Sequence, residues 1–303
     1  MITKEEELIQ NIEEFLSEKQ KPLLVILGPT ASGKTALSIK LAKRFDGEII
    51  SADSRQLYKN MEIGTDAISK EEMEGVPHHM IGMLEPNEQF TVAEYKQKSI
   101  HIINTILRKK KVPILVGGTG LYISAIVENY EIPQVPPNFE LRNQLQKEAE
   151  KYGTEYIFKK LEEIDPQTAE KIDRHNPRYI VRAIEIKKAG LEKSDTRKKP
   201  LFDHFFIGID WPREELYKKI ERRVDEQVQS GLIEEVEKLM QKGYDENLPA
   251  ITALGVKELM PYLRGEISLE EAKDQIKQNT RNYAKRQMTW FRRYKDIHWI
   301  ENA

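Results

Sequence analysis

Short apolar runs alternate with amphipathic stretches over the first 130 residues of the chain. Runs rich in Val, Ile and Leu predict three strands, at 23–27, 48–53 and 113–116. Helical spacing follows the first run, a Thr91/Glu94 capping box begins a helix that runs to about Lys110, and a further helix follows residue 120. Strands that alternate with helices in this way are typical of an α/β fold with a parallel, doubly wound sheet.

The alternation stops near residue 130. From there to residue 196 the pattern predicts several short helices and no strand, after which one more strand is expected at 204–210. Helices are expected from there to the end, the last one capped by Ser268 and Glu271 and reaching about Tyr294. We therefore predict an N-terminal helical extension (1–20), an α/β core (21–129 and 197–303) and an all-helical insertion domain (130–196).

A phosphate-binding loop separates the first predicted strand from its helix. The segment reads GPTASGKT and matches the pattern G-x-x-x-x-G-K-[ST] in the required strand–loop–helix context, which predicts a P-loop NTPase-like core. Loop amides and the helix N-terminus favour an anion, Lys34 is placed to reach outer phosphate oxygens, and the Thr35 hydroxyl suits a magnesium shell. The predicted phosphate-binding residues are Gly28, Pro29, Thr30, Ala31, Ser32, Gly33, Lys34 and Thr35. Kinases, GTPases, ATPases and group transferases all use such a loop, so its ligand is left open.

A carboxylate and a glycine cluster follow the other two strands. Asp53 ends the second strand, in the crevice where doubly wound sheets bind ligands, and is open to three roles: general base, indirect magnesium ligand or cap of the next turn. Gly117–Gly120 after the third strand allows a close approach of backbone or substrate, or forms a tight turn. That strand lacks the terminal Asp of an ordinary NTPase, and no Asn-Lys-x-Asp motif is present, which argues against a hydrolysing switch protein.

Composition narrows the class of protein. The chain has 303 residues, a net charge of −2, no cysteine and no apolar run of membrane-spanning length, and its start is too acidic for a signal peptide. We therefore predict a cytoplasmic protein with no membrane partner.

Basic residues cluster at 174–199 and at 277–295, and the second region contains no acid. Such a helix is either a solvated face or a contact for an anionic partner. The adjacent His78 and His79 lack the spacing of a helical metal pair and favour a hydrogen-bonding role.

Five separated segments resemble the bacterial tRNA dimethylallyltransferases in the same order. They are GPTASGKT, SADSRQLYKNMEIGT, GVPHHMIGMLEPNEQF, PILVGGTGLYI and NTRNYAKRQMTWFRR. The resemblance extends from Pro22 over nearly the whole chain, and the first twenty residues look like an extension. It implies transfer of a dimethylallyl group from dimethylallyl diphosphate, with Mg²⁺, to the exocyclic amine of the adenine just 3′ of a tRNA anticodon. It further implies that the insertion grips the anticodon stem-loop, and we expect a monomer.

The resemblance also assigns roles to individual residues. It implies that Asp53 is the base, with Thr35 and Thr119 as further catalytic residues, and that Arg223 is an additional contact for diphosphate or for tRNA. Thr35 is the implied metal contact. The implied tRNA contacts are Asp53, Ser54, Arg55, Gln56, Thr119, Arg178, Arg182, Arg281, Lys285, Arg286 and Gln287.

Three positions depart from the family pattern, and two other functions compete. Tyr179 stands where the family often has an arginine, Gly82 where an Asp is usual, and Val256 where Tyr is common. The competing functions are a small-molecule or nucleotide kinase that binds ATP in the loop and a non-catalytic RNA-binding module. A kinase would have an arginine-rich lid and no need of the insertion or the acid-free helix, and a vestigial module need not keep Lys34, Thr35 and Asp53 together.

Overall fold

The computed structural model describes residues 4–133, 135–191, 197–246 and 248–301. Its strands are Pro22–Leu27 (β1), Gly47–Ser51 (β2), His78–His79 (β3), Val112–Gly117 (β4), Asp203–Asp210 (β5) and Ile297–Glu301 (β6). Its helices are Lys4–Glu18 (α1), Lys34–Arg44 (α2), Glu62–Thr65 (α3), Val92–Arg108 (α4), Gly120–Val127 (α5), Phe139–Tyr152 (α6), Thr154–Ile164 (α7), Pro166–Ala169 (α8), Pro177–Lys188 (α9), Arg213–Gln229 (α10), Leu232–Gln241 (α11), Val256–Leu263 (α12) and Leu269–Phe291 (α13), with a 3-10 turn at Ala250–Thr252.

The strands form one six-stranded sheet in the order β3-β2-β4-β1-β5-β6, and every pairing is parallel. This confirms the predicted α/β class. The central strand β1 shows why both faces are covered: side chains alternate between the faces of a strand. Leu23, Val25 and Leu27 belong to the larger core cluster, whereas Leu24 and Ile26 belong to a second cluster on the opposite face.

The N-terminal helix α1 covers part of that second face. Leu8 and Ile12 are buried there, in one cluster with residues of α2 and the central strands. On its polar side, Glu13 pairs with Arg44 at the end of α2, 2.8 Å apart. The amphipathic helix predicted at the start of the chain is therefore confirmed, and its apolar stripe is the reason that it packs on the sheet.

Both predicted capping boxes are present. Thr91 and Glu94 begin α4, and Ser268 and Glu271 begin α13, in each case with reciprocal side-chain and backbone hydrogen bonds. The last helix ends at Phe291, a few residues before the predicted end. Helices dominate after residue 210, as expected, but the sequence analysis missed the edge strand β6, which Ile297–Glu301 forms beside β5. The two-residue strand β3 was also missed.

The chain divides into two compact units. One comprises Met1–Glu128 and Pro200–Ala303 and contains the sheet, and the other is Asn129–Lys199. In its described residues, the regular structure of the second unit is helical apart from an isolated bridge between Tyr130 and Arg197, and its core is formed by residues of α6 to α9. Among the residues that the structure describes, no helix is long and apolar enough to cross a membrane.

Candidate active site

A cavity of about 380 Å³ lies at the carboxyl ends of the central strands, over the phosphate loop. Two residues of the loop have a positive φ, 62° for Ala31 and 91° for Gly33; glycine adopts this region readily, whereas alanine is strained there. Helix α2 begins at Lys34, so its N-terminus and the loop amides face the cavity. Polar groups in this arrangement form an anion site.

The loop is shaped by close contacts with its neighbours. A Cβ at Gly28 would meet the Ile209 carbonyl oxygen and the Ser32 hydroxyl, each at 3.0 Å. Trp211 Nε1 donates to the Ser32 carbonyl at 3.0 Å. The Ser32 hydroxyl is itself buried without a hydrogen-bond partner in the described part of the chain. A phosphate oxygen would satisfy it.

Lys34 carries the charge of the loop. Its ammonium group donates to the Pro29 carbonyl oxygen at 2.6 Å. The pKa of Lys34 is lowered to about 8, mainly by burial and also by the nearby Arg223 guanidinium, while the carboxylates of Asp53 and Asp66 act in the opposite direction. A lysine held at this pKa gains from the arrival of an anion, because the anion stabilises its charged form.

Arg223 of α10 reaches the same cavity. Its Nη1 donates to Thr30 Oγ1 at 3.1 Å and lies 3.0 Å from Asp66 Oδ2. The structure therefore brings the sequence-predicted Arg223 beside the loop, together with Lys219 and Arg222 of the same helix. Asp66, which follows α3, was not expected there.

Asp53 lies two residues after the end of β2 and lines the cavity. Its Oδ1 accepts a hydrogen bond from the Arg55 amide at 2.8 Å, so the carboxylate also caps its own turn, one of the roles left open by the sequence. The Arg55 guanidinium points elsewhere, to the Pro249 carbonyl oxygen and to Thr252 Oγ1. Its predicted contact with RNA stays a prediction, and in this structure the side chain has internal partners.

Thr119 is held against the turn that follows Asp53. Its hydroxyl accepts from the Ser54 amide at 3.1 Å, and its own amide donates to the Ala52 carbonyl oxygen at 3.0 Å. A Cβ at Gly117 would come within 2.3 Å of that same carbonyl oxygen, so only glycine permits this approach of the two strand ends. The glycine cluster thus places Thr119 beside Asp53 and Ser54.

Two glutamines join the elements around the cavity. Gln56 accepts from Ser51 Oγ at 2.9 Å and donates to the Asp66 carbonyl oxygen at 3.0 Å. Gln287 of α13 is only 4% exposed; it accepts from the Thr30 amide at 2.9 Å and donates to the Gly118 carbonyl oxygen at 3.0 Å. Both side-chain amides are used inside the protein, and the predicted contacts of these residues with RNA stay predictions.

Tyr283 is a site residue that the sequence analysis missed. It precedes Gln287 by one helical turn, so the two side chains share a face of α13. The pKa of Tyr283 is raised to about 12, mainly by burial and also by the Asp53 carboxylate, against the opposing effect of hydrogen bonds with Thr119 and Gln287. The phenol is therefore neutral and lies among the residues that surround Asp53. Its helical spacing from Gln287 is the signal that could have indicated it.

The acid-free stretch of α13 is only partly free of acidic partners. Arg281 pairs with Glu221 of α10 at 2.6 Å, and Lys277 pairs with Asp225 of the same helix at 2.9 Å. These acids come from a distant part of the sequence, which explains why the run looked uncompensated. Lys285 and Arg286 are exposed and make no ion pair among the described residues. They are the cations of this helix with charge available for a partner.

The helical unit presents its predicted arginines differently. Arg178 is exposed near the start of α9, next to Tyr179, which is 52% exposed. Arg182 instead pairs with the buried Glu185 and donates to the Val135 carbonyl oxygen at 3.1 Å. Glu185 also receives a bidentate contact from Arg142, at 2.8 Å to each oxygen. Arg182 is thus part of the internal charge network of this unit.

The remaining departures and histidines have local structural explanations. Gly82 has φ at 55°, and Val256 is buried as the first residue of α12. His79 Nε2 lies 2.8 Å from the buried Glu48 carboxylate, which also binds Lys109, and His78 Nδ1 lies 2.8 Å from the Val76 carbonyl oxygen. These contacts agree with the expected hydrogen-bonding role for the histidine pair.

The chain resembles proteins of one family over most of its length. The family model described as IPP transferase matches residues 56–294. The tRNA dimethylallyltransferase of Alkaliphilus oremlandii is 48% identical over 285 residues, which cover 92% of this chain and 91% of that protein. The tRNA dimethylallyltransferase of Acetivibrio thermocellus is 49% identical over 284 residues, with the same coverage.

Solved structures agree with the sequence comparisons. The tRNA isopentenylpyrophosphate transferase of Bacillus halodurans superposes with a TM-score of 0.70 at 40% identity, covering 93% of this chain and 90% of that one. A eukaryotic dimethylallyltransferase acting on tRNA superposes with a TM-score of 0.77 at 29% identity, covering 93% of this chain and 74% of that one.

Proposed function

The chain belongs to the IPP transferase family, and on that premise we propose that it transfers a dimethylallyl group from dimethylallyl diphosphate to tRNA. The acceptor is the exocyclic amine of the adenine 3′-adjacent to the anticodon, and the products are isopentenyladenosine in the tRNA and diphosphate. One observation carries the proposal: the phosphate loop and Asp53 line the same cavity. An anion site and a carboxylate side by side are what transfer from an allylic diphosphate to an amine requires.

The phosphate loop acts on the leaving group. In the reaction the bond between the allylic carbon and the diphosphate oxygen breaks, and that carbon bonds to the adenine nitrogen. Negative charge collects on the departing diphosphate, where the loop amides, the Lys34 ammonium and the Arg223 guanidinium are placed to receive it. The buried Ser32 hydroxyl offers one more hydrogen bond.

Asp53 acts on the nucleophile. As the new bond forms, the amine must lose a proton, and Asp53 is the cavity carboxylate at the end of β2 that takes it. Ser54, Thr119 and Tyr283 surround this carboxylate, and their hydroxyls are available to orient an adenine extruded from the anticodon loop. Positioning matters here because an adenine amine is a poor nucleophile until it is held in line with the carbon.

Magnesium suits the donors at the loop. The Thr35 hydroxyl and the Asp53 and Asp66 carboxylates are oxygen donors that line the cavity, which is the chemistry that Mg²⁺ prefers. No cluster of three acidic or histidine side chains that could hold an ion occurs in the described ranges. Thr35 and the diphosphate oxygens would therefore hold the ion together, and when bound it neutralises charge on the leaving group.

The exposed cations contact the RNA. Lys285 and Arg286 on α13 and Arg178 on α9 have charge available for phosphates, and we assign them to backbone contacts with the anticodon stem-loop. The phosphate loop, Arg223, Asp53 and Thr119 are supplied within a single chain, and we propose that the enzyme acts as a monomer in the cytoplasm. Size-exclusion chromatography with light scattering tests the monomer.

The test is transfer of radiolabel to an unmodified anticodon stem-loop. Protein, magnesium and dimethylallyl diphosphate labelled in the allyl group should label the RNA. A stem-loop with guanosine in place of the target adenosine is the matched control and should remain unlabelled. A parallel reaction with ATP labelled in its terminal phosphate tests the kinase alternative, since phosphorylation of a metabolite without any label on RNA would overturn the proposal.

A further inference from the structure

Asp66 is a carboxylate inside a site otherwise built for anions. Its Oδ2 lies 3.0 Å from Arg223 Nη1, the same nitrogen that donates to Thr30 of the phosphate loop. The Arg223 side chain is 22% exposed, and that of Asp66 is 53% exposed. Both residues line the cavity with Lys34. The Asp66 carboxylate opposes anion binding in this cavity, because its charge repels a diphosphate bound to the loop.

The backbone, and not the ion pair, holds Asp66 in place. The residue follows the single turn of α3 with φ at 53°, and its amide bonds back to the Glu62 and Ile63 carbonyl oxygens. Its own carbonyl oxygen accepts from Gln56 Nε2 at 3.0 Å. The carboxylate is thus aimed at Arg223 by a turn that does not depend on its charge.

The start of α3 is anchored as firmly as its end. Glu235 of α11 accepts from the Ile63 and Gly64 amides, each at 2.8 Å, and Gln227 of α10 donates to the Ile63 carbonyl oxygen at 2.7 Å. A Cβ at Gly64 would meet Glu235 at 3.2 Å. The turn is therefore fixed to α10 and α11, which hold the backbone of Asp66 beside Arg223.

Arg223 has one guanidinium for two competing anions. Its Nη1 contacts Asp66, and a diphosphate on the loop would compete for the same donors. Asp66 pairs with Arg223 and belongs to no cluster of three acidic or histidine side chains among the described residues. Competition for Arg223 is the role that its contacts support.

We propose that Asp66 is a built-in counter-ion of Arg223, which diphosphate displaces on binding. Asp66 thereby weakens the hold of the site on diphosphate and speeds release of the product. This inference rests on the proposed function, because it takes diphosphate to be the leaving group. Asp66 acts through Arg223 and is a positioning residue, not a catalytic one.

The test is calorimetric titration of inorganic diphosphate with magnesium, without RNA or allyl donor. Asp66→Asn removes the charge, and Asn tolerates the left-handed backbone; Asp66→Gly is the second variant and removes the whole side chain. Both should bind diphosphate about three- to tenfold more tightly than the parent chain, the size expected for losing a partly exposed competing pair. Glu226→Gln removes another carboxylate of the cavity, one that pairs with Arg222, and should change the affinity by less than about twofold.

A double-mutant cycle separates competition from general charge effects. In an Arg223→Gln background, Asp66→Asn should give no further tightening. Unchanged affinity in both Asp66 variants would overturn the proposal. So would weaker binding together with a higher magnesium requirement, which would place Asp66 in the metal shell. Because the titration involves no prenyl transfer, its outcome stands apart from that of the labelling assay.

Discussion

The side chain of Gln287 accepts a hydrogen bond from the backbone amide of Thr30, 257 residues earlier in the chain. Through its other end the same side chain donates to the Gly118 carbonyl oxygen. One buried amide thus connects the last helix, the phosphate loop and the turn that carries Thr119. It therefore holds the phosphate loop in place against the last helix.

Gln287→Ala should lower stability and diphosphate affinity together. The change leaves the partly buried Thr30 N–H and the buried Gly118 C=O without this partner, which costs about 1–3 kcal/mol, and it frees the phosphate loop to move out of its binding conformation. Chemical denaturation measures the free energy of unfolding, and Asn282→Ala, at an exposed position of the same helix, is the control. If the free energy of unfolding and the diphosphate affinity of Gln287→Ala both equal those of the parent chain, the hydrogen bonds of Gln287 do not stabilise the loop.

Asp53→Asn should abolish most turnover and leave diphosphate binding intact. The amide cannot take the proton from the adenine amine, and loss of a general base costs about 10²–10⁴ in rate. Asp46→Asn is the matched control, since Asp46 precedes the same strand at its opposite end and its side chain is 77% exposed. A single-turnover rate near that of the parent chain would remove Asp53 as the base.

The affinity for diphosphate should depend on the charge of Lys34. The pKa of Lys34 is about 8, lowered mainly by burial, so the free protein holds the charged form below that pH and loses it above. Because the anion favours the charged lysine, affinity should fall as pH rises through about 8, by up to tenfold for each pH unit.

The ligand's own ionisation is removed by comparing the parent chain with Lys34→Met. Titration calorimetry from about pH 6 to 10 covers about two units on either side of the pKa of Lys34. The difference between the two pH profiles gives the contribution of the Lys34 charge to diphosphate affinity. A difference that does not decline above about pH 8 would show that Lys34 stays charged or does not touch the ligand.

Lys285→Gln and Arg286→Gln should each flatten the salt dependence of tRNA binding by about one unit of slope. Both cations are exposed and lack ion pairs in the described chain. Lys277→Gln is the control on the same helix, because Asp225 already neutralises Lys277 and its loss should hardly change the slope. If all three variants and the parent chain show the same salt dependence of tRNA binding, this face of α13 is exposed to solvent and does not contact RNA.

Much of the fold was predictable because its signals are local. The apolar runs at 23–27, 113–116 and 204–210 are buried strands, and the two Ser/Thr–Glu capping boxes mark helix starts within four residues. The edge strand β6 was not predictable in this way. Its residues are only half-buried and it becomes a strand by pairing with β5, a contact nearly a hundred residues away in sequence.

The candidate site shows the same division. The loop and Asp53 follow from motifs next to predicted strands, and the structure places them in one cavity. The partners that adjust them come from distant segments: Gln287 at the loop, Asp66 at Arg223, and Glu221 at Arg281. No local sequence pattern predicts these contacts, because they form only when the helices pack on the sheet.

The most direct test of the account is to locate the modification in tRNA after reaction with the purified protein and dimethylallyl diphosphate. Nuclease fragments of an unmodified substrate tRNA, separated and weighed by mass spectrometry, should show a single added dimethylallyl group. We expect the dimethylallyl group on the adenosine immediately 3′ of the anticodon, with release of one diphosphate for each modified tRNA. Unmodified fragments, or an added group on any other nucleotide, would contradict it.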